Sequence, residues 1–125
     1  MLKALFGRGK SRDQKPRHSQ IADFLGHEDL NALRSLRMEG ELGVVEDALL
    51  KAEPTPAVAD ELRKTLSAKA RLVKKEEDWQ AVVHHLESYL DYADKWRHYC
   101  LEKVNQEPPP LTDRDKKLLE QARKQ

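Results

Sequence analysis

Five side chains in the 125-residue chain are spaced to share one helical face and to do chemistry. His84, Glu87, Asp91, Asp94 and His98 recur every three or four residues, and imidazoles with carboxylates are ligands for zinc or iron. The stripe lies opposite the apolar face of the same segment, where water is expected. It also lacks the Glu-x-x-His pairs that di-iron bundles draw from two helices. Asp94 and His98 read as a surface i, i+4 pair. His84 and His85 point about 100° apart and cannot form one chelate. No bound metal and no other cofactor is expected.

Other chemistry is equally sparse. Gly7-Arg8-Gly9-Lys10 lacks the spacing and the strand–helix context of a phosphate loop, and no G-x-S-x-G, H-E-x-x-H or C-x-x-C occurs. Carboxylates on a solvent-facing stripe have nothing to shift their acidity. The chain is therefore read as non-catalytic, with no small-molecule substrate. The single cysteine, Cys100, falls on an apolar face and reads as a small buried hydrophobe. A lone thiol fits a reducing cytoplasm. No apolar run reaches the 18 residues of a membrane span, and residues 1–6 are too short for a signal peptide core.

These residues sit on the segment that organises the chain. Residues 76–104 contain no Gly or Pro, hold both Trp and all three Tyr, and predict one long helix. Trp79, Val82, Val83, Leu86, Leu90, Ala93, Cys100, Leu101 and Val104 form a core-facing stripe. Beside it runs a ridge of rings: His85, Tyr89, Tyr92, Trp96 and Tyr99. Two apolar stripes are more than one core contact needs. Tyr and Trp tolerate an edge in water, so Tyr89, Tyr92, Trp96 and Tyr99 are the candidate anchors for another protein or for a second copy of the chain. Core packing of the same ridge is the competing reading.

Leu, Ile, Val and Phe make up roughly 22% of the chain, just above the level at which charged chains fail to fold. They concentrate between residues 21 and 104. Net charge is +1, but it is unevenly spread. Residues 1–18 carry six Lys or Arg against one Asp, while residues 19–110 carry 12 basic against 18 acidic. The amino-terminal 18 residues read as a basic tail. Lys3, Arg8, Lys10, Arg12, Lys15 and Arg17 give it an alternative role as a tether to nucleic acid or an anionic membrane.

The remaining segments predict an all-α fold of four or five helices, a small bundle or hairpin stack. Ser19 caps a short helix over residues 20–25. Residues 28–39 and 42–52 form two arms, broken at Gly40 and Gly43 by a turn or a kink. Pro54 stops the second arm. Thr55 caps a helix from Pro56 to about Lys75, whose basic outer face reads as solvated and paired with the acidic side of its neighbour. Residues 75–78 turn into the long helix, with one unbroken helix as the alternative. Residues 19–107 form the helical domain. Residues 108–110 are three prolines, read as a spacer, before a last helix capped by Thr112 and docked through Leu111, Leu118, Leu119 and Ala122.

Ala70, Val73, the turn Glu77-Asp78-Trp79, Val82 and Leu86 together resemble a tetratricopeptide-type helical hairpin over residues 66–90, about a fifth of the chain. Val82 and Tyr89 stand where that family prefers small Ala, and Glu77 where it has Gly. The resemblance implies a peptide- or protein-binding helical scaffold.

Overall fold

A computed structural model describes residues 24–125. Five helices follow in order: α1 (His27–Met38), α2 (Leu42–Lys51), α3 (Pro56–Lys75), α4 (Trp79–Val104) and α5 (Asp113–Arg123). Among the described residues there is no strand, and the architecture is a small all-α bundle. No helix is long and apolar enough to cross a membrane. The short helix expected over residues 20–25 lies mostly outside the described residues; Phe24 and Leu25 are not helical.

Local signals set most of the boundaries. Thr55 Oγ1 accepts the Val58 amide at 3.2 Å, with Pro56 as the first helical residue of α3. There the missing N–H of Pro removes nothing the helix needs. Thr112 caps α5 in the same way, accepting from the Asp115 amide. The long helix starts three residues later than the sequence pattern suggests. Asp78 caps it by accepting from Ala81, so Glu76 and Glu77 belong to the turn.

The Gly40–Gly43 break is a turn. Gly40 N–H donates to the Arg37 carbonyl and Glu41 N–H to that of Leu36, and Gly40 has φ +92°. This paired bonding closes a helix through a left-handed residue, where glycine meets no penalty. The α3–α4 turn repeats the motif. Glu77 N–H donates to Lys74 and Asp78 N–H to Val73, but the left-handed residue is Glu77, at φ 59°. A side chain there costs roughly 1–2 kcal/mol.

The antiparallel pair α3–α4 is the centre of the bundle. The α1–α2 hairpin packs on one flank of α3, and α5 returns against α4. Val58, Ala59, Leu62, Leu66 and Ala70 of α3 meet Val82, Leu86 and Tyr89 of α4, all essentially without solvent contact. Leu33, Val45 and Leu49 extend the core under α1–α2, and Leu118, Leu119 and Ala122 extend it under α5.

Two buried carboxylates join the flanks to α3. Glu61, 3% exposed, accepts from Arg34 at 2.8 Å and from Arg37 at 3.4 Å, both on α1. Asp115, 1% exposed, accepts from the Ser67 hydroxyl at 3.0 Å and from the Arg71 guanidinium. Charges are found at this depth when they are paired and hydrogen-bonded. The basic outer face of α3 therefore pairs differently from expectation. Lys69 reaches Glu46 of α2, Arg71 reaches Asp115 of α5, and Arg63 and Lys64 reach Asp60 of α3 itself.

The proline run is no free spacer. Pro108 and Leu111 are buried, and the Pro109 carbonyl accepts the hydroxyl of Tyr89. Residues 106–112 are a strap that carries the chain from the end of α4 back onto the core.

Candidate protein-interaction surface on the long helix

The aromatic ridge of α4 is split by its neighbours. Tyr89 is wholly buried and Tyr92 is 8% exposed. Their rings stack at 6.4 Å. Both belong to the core, so the expectation that they anchor a partner is corrected: the strap and α3 occupy the space a partner would need. Burial pushes the Tyr89 hydroxyl up to about 12, and burial also raises Tyr92. A phenolate has no water there, and desolvation disfavours the charged form. The Tyr92 hydroxyl is buried without a hydrogen-bond partner in the described structure.

The other half of the ridge stays nearer solvent. Trp96 is half-buried against the core, and Tyr99 meets it edge to face at 5.8 Å. Lys95 Nζ lies 5.0 Å from the Trp96 ring and Lys103 Nζ 5.7 Å from Tyr99, both within reach of a cation–π contact. The Tyr99 hydroxyl donates to Glu53 at 2.7 Å, and that bond holds its proton more tightly than usual. Cys100 is buried and donates to the Pro54 carbonyl at 3.1 Å. Burial raises its thiol, so it stays protonated and inert. Together Tyr99 and Cys100 bind the far end of α4 to the Glu53-Pro54 loop.

The row read as core-facing on the opposite shoulder is only partly so. Val82 and Leu86 are buried, but Leu90 and Leu101 are 37% exposed and Val104 48% exposed. The bundle contacts the sector between the two stripes. Its centre therefore moved toward the rings, and the aliphatic flank was left outside. Leu90, Leu101 and Val104 share one face at spacings of 11 and 3 residues, with Arg97 between them. Asp94 pairs with Arg97 at 2.9 Å, and His98 approaches Glu102 at 3.9 Å beside them. The result is an aliphatic row with a charged rim.

The ligand-like stripe does not converge. His84, Asp91, Asp94 and His98 are exposed, and Glu87 pairs with Arg123 of α5 at 2.7 Å. Among the described residues no three His, Cys, Asp or Glu side chains stand close enough to hold a metal ion. His85 is half-buried; burial, then Lys69 and His84, lower its basicity, so it is neutral at pH 7. The basic cluster Lys3, Arg8, Lys10, Arg12, Lys15 and Arg17 lies outside the described residues.

No family model, curated protein or solved structure matches the chain. The tetratricopeptide resemblance therefore remains an expectation carried by the residues quoted for it.

Proposed function

We propose that this chain is a non-catalytic helical module that binds another protein through the carboxy-terminal half of α4. The observation that supports this is the exposed row Leu90, Leu101 and Val104, with Arg97 between them and Asp94 and Glu102 at its edge, on the longest helix of the bundle. An apolar centre within a polar rim is the anatomy of a protein interface. On the other shoulder of α4, half-buried Trp96 packs against the core and Tyr99 bonds to Glu53, which holds the helix end in place. The row is short, so the interface is small and the complex transient. The partner is of apolar character, such as the hydrophobic face of a helix. A cytoplasmic setting fits the lone buried thiol.

The test is affinity capture with the full-length chain and its Leu101→Asp variant, after thermal melts show equal stability. Retention by the wild type and loss by the variant of the same protein supports the reading. Equal retention by both sinks it. The second reading, a tether through residues 1–18, rests on the charge of that segment alone. Its test is the same capture after their removal, with binding that falls steeply with salt as the supporting result.

A further inference from the structure

The outward face of α3 is the floor of a groove of about 320 Å³. Ser67 and Ala68 lie at its centre, with Arg63 and Lys64 one turn before them and Arg71 one turn after. Arg37 of α1 forms one wall, and Thr112 and Arg114 at the start of α5 form the other. The floor is small and the rim is cationic. A chain can approach the backbone of α3 closely there, between guanidinium groups that bind carboxylates through two parallel hydrogen bonds.

The cations outnumber the acids that reach them. Asp60 serves both Arg63 and Lys64, at 2.7 and 3.3 Å. Glu61 serves both Arg34 and Arg37, and Asp115 serves Arg71. Five cations thus share three carboxylates, and none of the described ion pairs takes up Arg114, which also lines the groove.

We propose that this groove receives an acidic peptide segment of a partner protein, its carboxylates held by Arg63, Lys64 and Arg114. Two observations favour a short peptide over a nucleic acid. Residues 24–125 carry 17 basic against 20 acidic side chains, so the bundle repels a long polyanion from a distance. No aromatic side chain lines the groove for base stacking. The chain's own first 23 residues, with six cations and two carboxylates, have the wrong sign to fill it. The groove uses no residue of the α4 row, so either surface can fail without the other.

The experiment is a fluorescence anisotropy titration of the full-length chain against a labelled peptide of alternating Asp and Glu. The controls are its Asn/Gln counterpart and single-stranded oligothymidylate. The expected result is saturable binding of the acidic peptide alone. Arg114→Glu should weaken it by about tenfold and Arg114→Gln by less, whereas Lys95→Glu on α4 changes it less than about twofold. Arg114 is exposed, so both variants should melt like the wild type. Absence of saturation up to about 1 mM peptide, or equal weakening by Lys95→Glu, overturns the proposal. Tighter binding of the oligonucleotide, lost in Arg114→Glu, also overturns it and gives the groove to a phosphate backbone.

Discussion

Removing either partner of the Asp115–Arg71 pair should destabilise the bundle, and by unequal amounts. Asp115 is 1% exposed and Arg71 33% exposed. In Asp115→Ala, Arg71 loses its carboxylate but can turn a guanidinium edge to water. The loss is then one charge-assisted bond plus the Ser67 bond, about 2 kcal/mol. In Arg71→Ala the carboxylate stays buried with only the Ser67 hydroxyl to satisfy it. Stranding a buried charge costs about 3–5 kcal/mol. At about 4 °C per kcal/mol for a domain of this size, the melting temperature should fall by about 8 °C in the first variant and about 12–20 °C in the second. Asp115→Ala with Arg71→Ala should fall no further than Arg71→Ala alone, because the stranded charge is gone. Thermal unfolding followed by circular dichroism at pH 7 measures all three. If Arg71→Ala is as stable as Asp115→Ala, the carboxylate is not held as described and α5 is docked by its apolar face alone.

Other outcomes follow from the same structure. Glu77→Gly should stabilise the bundle by about 0.5–1 kcal/mol, because it relieves a left-handed side chain at some cost in unfolded-chain entropy. Gly40→Ala should destabilise it by about 1 kcal/mol, although no atom lies within 4 Å of the new methyl group; denaturant titration compares both with wild type. Tyr89 and Tyr92 hold their protons more tightly folded than unfolded. Their contribution is thus complete below the ordinary tyrosine value of about 10; that of Tyr89 is lost as pH rises through about 12, and that of Tyr92 later still. Tyrosinate absorbance near pH 11 should lag behind that of the unfolded chain, and its late rise should coincide with loss of helical signal. A full tyrosinate signal from a still-helical chain contradicts the burial of these rings.

The helices were legible because their ends are local. Thr55-Pro56 and Thr112 cap through atoms three residues away, and Gly40 terminates α1 by its own backbone freedom, whereas Asp78, inside the 76–104 span, does not read as the cap it is. The candidate surface was legible only as an excess: α4 has more apolar face than one core needs. Which stripe faced solvent depended on residues far along the chain. Pro109 lies 20 residues from Tyr89, and Pro54 lies 46 from Cys100. Nothing in a run of three prolines signals that it will close over a tyrosine; the apolar Leu111 beside it was the available hint. The α3 groove was missed for a similar reason. Its walls come from α1 and α5, and the charges of α3 alone look like an ordinary solvated face.

Binding through the aliphatic row of α4 is tested most directly by capture with Leu101→Asp. The variant should melt within about 2 °C of wild type, since Leu101 is 37% exposed and surface changes are small. It should also lose the protein that the wild type retains, while Trp96→Ala weakens that binding and lowers stability together. A folded Leu101→Asp chain that retains every partner of the wild type contradicts the account.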